Sequence, residues 1–301
     1  MKSYDVYSYG VVSASTLYSI RDSFPAPEGY GEVLSVRHMV GGEATNSAIV
    51  LSRLGVGVKL DGSWLGADNS GRRTKATLSE YEVDTTRLPL INGHETVQEV
   101  VFAAEDTRTI FGTYGRLLRQ GAWNMPLEYD IKQAKVVSLD PFFPEPATRV
   151  AEVASAAQIP IVTVDCRHDD PLLNLVSAVI VAESFIRENY PDQDVEALSR
   201  QYREAAKGLV VFTFGSAGIW YADAGDSLKN REASVVEAVD TSGGGDAFRA
   251  GIVYGYLNDW ETDEMIEFAA AVAALVCATS PGVLNAPTIS EVVEFLKLEQ
   301  A

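Results

Sequence analysis

Asp240-Thr241-Ser242-Gly243-Gly244-Gly245-Asp246-Ala247-Phe248-Arg249-Ala250-Gly251 is the stretch around which this 301-residue chain is organised. Val235 to Val239, just ahead of it, mixes β-branched residues with Glu237 and reads as a strand. Phe248, Ile252, Tyr254, Tyr256 and Leu257 have the spacing of a helix packed on a sheet. The glycine run therefore falls where a strand hands over to a helix. Without side chains, Gly243, Gly244 and Gly245 bring backbone N–H groups close to a ligand. The helix behind them points its unpaired N–H groups and positive dipole end into the same space, which favours an anion. Asp246 occupies a preferred place for a capping or first-turn aspartate. Alone, G-G-G-D is equally a glycine turn with its cap; the unbroken D-T-x-G-x-G-D-x-F-x-x-G string is far more specific.

Composition bounds the alternatives. A chain of 301 residues can bury a substantial core, as one large α/β domain or two smaller ones. Forty-two acidic residues against 24 basic give a formal charge of −18. That argues against nucleic acid or an anionic membrane as the main partner, but not against phosphate held locally by helix ends, glycine nests and Mg²⁺. Cys166 and Cys277 have no C-x-x-C spacing and read as reduced core residues of a cytoplasmic protein. Met1 to Asp5 has no apolar run of a signal peptide, and the longest apolar run, Phe268 to Ala278, suits a buried helix. There is no G-x-x-x-x-G-K-[ST], no G-x-G-x-x-G after the first strand and no G-x-S-x-G. His38, His94 and His168 have no metal-ligand spacing.

Along the chain, Tyr4 to Val12 reads as a first strand and Glu32 to His38 as another. Gly41-Gly42-Glu43-Ala44-Thr45-Asn46-Ser47-Ala48 opens a helix that Gly55 stops. Val56 to Leu60 is a predicted strand and Asp68 to Tyr81 a predicted helix. Thr96 to Ala103 and Thr107 to Thr113, separated by Glu105-Asp106, read as a hairpin. From Lys135 onward strands and helices alternate: strands at 136–139, 161–164, 178–181 and 209–214, helices at 147–157, 195–207 and 264–279. This alternation predicts a mostly parallel sheet covered by helices on both faces, with ligands beyond the C-terminal strand ends. Asp140, Asp165 and Asp240 each follow an apolar strand there; Asp140 reads by default as a loop residue or helix cap.

The Asp240–Gly251 string resembles the nucleotide-site signature of the ribokinase-like (PfkB) family of sugar and nucleoside kinases, and Gly41, Gly42 and Asn46 match that family's G-G-x-x-x-N-x-A string in order and separation. The resemblance spans roughly residues 4 to 298. It implies a three-layer α/β/α sandwich, a single kinase domain over 1–301, with a small antiparallel β lid built from about 10–17, 32–38 and 95–113. It implies ATP as cosubstrate with Mg²⁺, Asp246 as catalytic base and the amides of Gly243, Gly244 and Gly245 as anion hole. Such chemistry suits phosphoryl transfer, which needs charge stabilisation around three oxygens and a group to accept the hydroxyl proton. Ser13, Ser15, Gly41, Gly42, Asn46 and Arg108 would bind the acceptor; Thr213, Gly215, Gly218 and Thr241 would border the nucleotide. A monovalent cation, K⁺, would sit at Asp240, Ser242, Ser280 and Gly282, and a homodimer would form through the lid.

The pattern also departs from the family. Ser15 stands where an aspartate usually holds acceptor hydroxyls, and Ser13, Ser15 and Thr16 offer weaker hydrogen bonds. Ala182-Glu183-Ser184-Phe185 replaces N-x-x-E and keeps one carboxylate, Glu183, for water-mediated Mg²⁺. Glu43 stands in the first glycine motif, where it would repel an anionic acceptor if it faced the site. The expectation is an ATP-dependent kinase acting on the hydroxymethyl group of a small sugar-like acceptor, with a nucleoside acceptor as a variant of that reading. The alternative is a catalytically weak relative that binds a metabolite as a sensor or regulatory subunit.

Overall fold

The computed structural model describes residues 4–104 and 107–299. In chain order the first half runs β1 (Val6–Gly10), β2 (Ser13–Ile20), β3 (Val33–Gly41), α1 (Glu43–Arg53), β4 (Val58–Gly62), β5 (Leu65–Gly66), α2 (Asn69–Glu80), β6 (Leu90–Ile91), β7 (Gln98–Ala104) and β8 (Thr107–Gly112). It continues with α3 (Tyr114–Gln120), α4 (Glu128–Gln133), β9 (Val136–Leu139), α5 (Pro144–Ala156), β10 (Ile161–Val164), β11 (Ala178–Ala182), α6 (Glu183–Asn189) and α7 (Val195–Ala205). After β12 (Leu209–Thr213), β13 (Ile219–Ala222) and β14 (Lys229–Arg231) come α8 (Gly244–Leu257), α9 (Thr262–Cys277) and α10 (Ile289–Glu299).

The main sheet has eight strands in the order β14-β13-β12-β11-β10-β9-β1-β4. The pairings from β4 to β12 are parallel, and those at β13 and β14 antiparallel. Successive strand residues belong to opposite cores: Val136, Val162, Ile180 and Val211 to one, Val137, Ile161, Val179 and Val210 to the other. Near-continuous apolar strands are what a sheet covered on both faces requires. Helices α1, α8 and α9 contribute to the first core, and α5 and α7 to the second. The architecture is the α/β/α sandwich that the alternation predicts. Helices α8 and α9 approach closely because Gly251 has no side chain; a Cβ there would collide with the Ala269 backbone.

Strand β1 pairs with β4 on one side and with β9 on the other. The chain therefore changes direction across the sheet at β1, and the connections leaving β1 and β9 part to open a crevice there. Above this end lies a second sheet, in the order β3-β2-β7-β8. Its outer pairings are antiparallel, whereas β2 and β7 run parallel. The turn expected at Glu105-Asp106 lies outside the described residues.

One expected element is absent. Among the described residues no strand covers Val235 to Val239; the segment joins no sheet, with Val235 90 % and Val239 61 % exposed. β-Branched residues favour a strand only where a neighbour supplies a ladder and a face to bury. What anchors the chain just ahead of the glycines is a pair of amides, Val239 and Asp240, both donating to the Cys277 carbonyl, at 2.8 and 3.1 Å. The glycine bend is thus hung from the end of α9 rather than from a strand.

Candidate active site

The bend itself follows from Gly243, which caps α8 with φ 79°, a left-handed conformation that favours glycine. A Cβ on Gly243 would collide with Val283 Cγ2, and one on Gly244 would stand 2.8 Å from Cys277 Sγ. Gly245, by contrast, has no atom within 4 Å of where its Cβ would be. The bend is packed tightly behind and open in front. Its open side faces a cavity of about 440 Å³ at the crevice, roofed by the small sheet.

Asp246 enters this cavity from the first turn of the 14-residue α8, and Asn46 enters it from α1. Asn46 Nδ2 donates to Asp246 Oδ2 at 2.8 Å, which joins positions 200 residues apart. Desolvation pushes the Asp246 carboxyl up to about 6, against the pull of Arg249 and the Asn46 hydrogen bond. Its side chain nevertheless keeps 15 % of its accessible surface, on the cavity side. A carboxylate of this kind ionises near neutrality and meets the cavity through one open face.

Beneath it lies a charge pair that the sequence reading misses. Arg249, one turn further along α8, is fully buried. It donates to Asp140 and to the Glu43 carbonyl oxygen, and stands 3.8 Å from Asp246 Oδ1. Asp140 follows β9 directly and is more than a local loop residue or cap: also fully buried, it accepts from the amide of Val11 at 2.9 Å and from that of Ala44, in the first turn of α1, at 3.1 Å. Asp140 thereby ties the end of β9 to the end of β1 and to α1, and Arg249 ties all three to α8. Lone buried charges are costly, and this one is offset by pairing and by amide donors. The only local signal is the arginine three residues after Asp246, on the same helical face.

The remaining expected residues divide. Ser15, Gly41, Gly42, Arg108, Thr213, Asp240, Thr241, Ser242 and Gly282 line the cavity with Gly243, Gly245, Asn46 and Asp246. Ser13 is buried behind it, donating to Glu99 Oε1 at 2.8 Å. Gly215 and Gly218 lie in the turn after β12, outside the lining. Arg108 Nη1 lies 3.5 Å from Thr241 Oγ1, so it spans from the roof to the glycine bend. Glu43 does face the cavity. Desolvation there, with Asp140 and Asp246 nearby, pushes its carboxyl above the ordinary range, although its side chain keeps access to solvent at the mouth. Asp165, at a C-terminal strand end as expected, and Glu99, which the sequence does not mark as a cavity residue, also line it; burial raises both carboxyls. Asp165 Oδ1 accepts from the Ala182 amide at 2.8 Å.

For metals, the donors are oxygens. Asp240 Oδ1 accepts from the Ser242 amide at 2.9 Å, and Ser280 Oγ lies 3.3 Å from Asp240 Oδ2. Such a hard-oxygen group suits a monovalent cation. Glu183 opens α6, is exposed and lies outside the cavity lining. Among the described residues no cluster of three or more His, Cys, Asp or Glu is arranged to hold a metal ion. Both cysteines are free, Cys166 buried and Cys277 half-buried. No helix among the described residues is long and apolar enough to cross a membrane.

A fold with a crevice at the strand reversal, a glycine bend at a helix start and a paired Asn and Asp defines a class, and sequence comparison agrees with it. The chain matches the pfkB family carbohydrate kinase profile over residues 5–289, and belongs to that family. It is 30 % identical over 281 residues to a nucleoside kinase of Methanothermobacter thermautotrophicus, covering 91 % of this chain and 89 % of the relative. It is 28 % identical to an ATP-dependent ribose-1-phosphate kinase of Halopiger xanaduensis, covering 91 % and 92 %. The structure of Arabidopsis thaliana ribokinase complexed with ribose and ATP superposes with a TM-score of 0.82 at 19 % identity, over 98 % of this chain and 99 % of that one; at this identity the likeness concerns the fold.

Proposed function

We propose that this protein transfers the γ-phosphoryl group of ATP to a hydroxymethyl group of a small sugar-like acceptor. The observation that carries the reading is the Asn46–Asp246 hydrogen bond of 2.8 Å within the cavity onto which the start of α8 opens. Asp246 accepts the proton of the acceptor hydroxyl as the bond to phosphorus forms. The amides of Gly243, Gly245 and Asp246, with the positive end of α8, stabilise the charge on the transferring group, whereas Gly244 lies outside the cavity lining and its amide donates to the Thr241 carbonyl oxygen at 3.3 Å. Asn46 holds the Asp246 carboxylate in place, and Arg108 reaches the phosphate side from the roof, beside Thr241.

Mg²⁺ bound with the triphosphate would neutralise charge on the phosphate oxygens, and K⁺ would sit beside the bend at Asp240, Ser242, Ser280 and Gly282. A nucleoside acceptor is favoured by one specific feature: Tyr114 and Phe142 line the cavity as an edge-to-face pair with centroids 5.6 Å apart, a surface suited to a base. The nucleoside kinase relative points the same way. The lid's other face is apolar and half-exposed, with Tyr18 stacked on Phe102 at 5.2 Å, Val36 51 % exposed and Phe111 54 % exposed. That face and its edge strands support a homodimer through the lid.

Coupled ATPase measurement over sugars, sugar acids and nucleosides tests the reading. Acceptor-dependent turnover that Asp246→Asn abolishes is the expected result. Metabolite binding without ATP consumption across the whole panel would replace it with the sensor reading.

A further inference from the structure

The proposed kinase reading leaves the acceptor's chemistry open, and the inner face of the roof narrows it. Ser15, Glu99 and Gly112 form one row across β2, β7 and β8. A strand glutamate ordinarily turns to water. Glu99 turns inward and lines the cavity, where the Ser13 hydroxyl donates to Oε1 at 2.8 Å and the Tyr114 hydroxyl donates to the same oxygen. Its other oxygen, Oε2, lies where a side chain on Gly41 would otherwise be, 2.5 Å from that hypothetical Cβ.

Desolvation raises the Glu99 carboxyl, and the groups opposing the shift are two serine hydroxyls and the Gly42 amide, with no cation among them. Glu43 adds a second carboxylate to the cavity next to the same pair of glycines. Two roof cations lean the other way: Arg108 reaches Thr241 on the glycine bend, and Arg37 donates to the Ser280 carbonyl at 3.1 Å. The acceptor half of the cavity is therefore rich in acceptor oxygens and negative charge. An entering phosphate or carboxylate would pass Glu43, exposed at the mouth, and meet Glu99 in a partly dehydrated space, whereas a hydroxyl or ammonium would meet ready partners.

We propose, resting on the kinase reading for the site itself, that this cavity selects an acceptor that donates hydrogen bonds and carries no negative charge, and that Glu99 is the side chain that imposes the selection. The shared chemistry is a cluster of hydroxyls, with or without an amine; sugar phosphates and sugar acids are the compounds it rejects.

Calorimetric binding to the intact protein without ATP compares ribose and inosine with ribose 1-phosphate and gluconate, and needs no turnover. The expected result is neutral compounds binding at least about tenfold more tightly than the anions, with Glu99→Gln narrowing the gap to below about threefold. Glu99→Asp, which keeps the charge but withdraws it by one methylene, is expected to keep the preference at reduced affinity. Ribose 1-phosphate binding as well as ribose, an unchanged preference in a folded Glu99→Gln protein, or no binding of either neutral compound would overturn the proposal. If the preference holds while no ATP is consumed with any acceptor, the kinase reading fails and the selection by Glu99 stands. If ATP is consumed with ribose 1-phosphate as the preferred acceptor, the opposite holds.

Discussion

The floor and the roof of the cavity are built on different principles. The floor is a buried relay: Asp140 and Arg249 are both without solvent exposure, Asp246 stands over Arg249, and Asn46 donates to Asp246. The roof is a four-stranded sheet whose groups over the cavity, Glu99 and Arg108, meet the hydroxyls of Ser13, Tyr114 and Thr241. Buried ionic groups over-determine one geometry, at a cost in desolvation. Hydroxyl-held groups on a half-exposed sheet can change without unfolding the protein. On the proposed reading, the bond-making chemistry would belong to the floor and the choice of acceptor to the roof.

The contrast breaks most visibly at Asp246. Asp246→Asn is expected to lower kcat by about 10²–10⁴-fold with nucleotide affinity nearly unchanged, as steady-state kinetics and nucleotide titration would report. A variant with normal turnover would remove the floor from the chemistry altogether. Asp140→Ala should act through folding, since it strands the Arg249 charge in the core; a loss of about 3–5 kcal/mol is expected in denaturant unfolding. A roof substitution of equal cost would erase the distinction.

Asn46→Ala, which removes a hydrogen bond to the carboxylate, is expected to cost about 10–100-fold in kcat/KM. The pH profile sharpens the point. Asp246 is useful as a base only when ionised, so kcat/KM should rise with pH through an apparent pKa near the value of about 6 to which desolvation pushes this carboxyl. The stability sign is opposite. A raised carboxyl pKa means the folded state holds its proton more tightly than the unfolded chain, so the contribution of Asp246 to stability is lost as pH climbs from the ordinary carboxylate range through about 6. Asp246→Asn should flatten both curves. The smallest effect is expected for Arg108→Ala, less than about tenfold in KM for ATP, because its contact with Thr241 is long and exposed.

Much of the floor's outline is legible in the sequence because it is local. Three glycines before a helix pattern are readable from residue types, and Gly41, Gly42 and Asn46 are marked by their resemblance to a family string. The alternation from Lys135 onward likewise sets the layers, since strand residues such as Val136 and Val137 must each bury on a different face. What escapes is non-local. Asp140 and Arg249 are 109 residues apart, and neither carries a pattern that announces its partner. Glu99 in a hairpin strand looks solvated until the register with Ser15 and the hydroxyl of Tyr114 are known. Val235 to Val239 misleads because β propensity describes a side chain's fit to a sheet surface that is not there.

The Asn46–Asp246 pairing has a consequence for synthesis. Its two halves come from α1 and α8, and every strand of both large sheets precedes α8 in the chain. The ribosome must therefore release α8 before this pocket can close, and on the proposed role of Asp246 chains terminated short of it are expected to be catalytically silent rather than partly active.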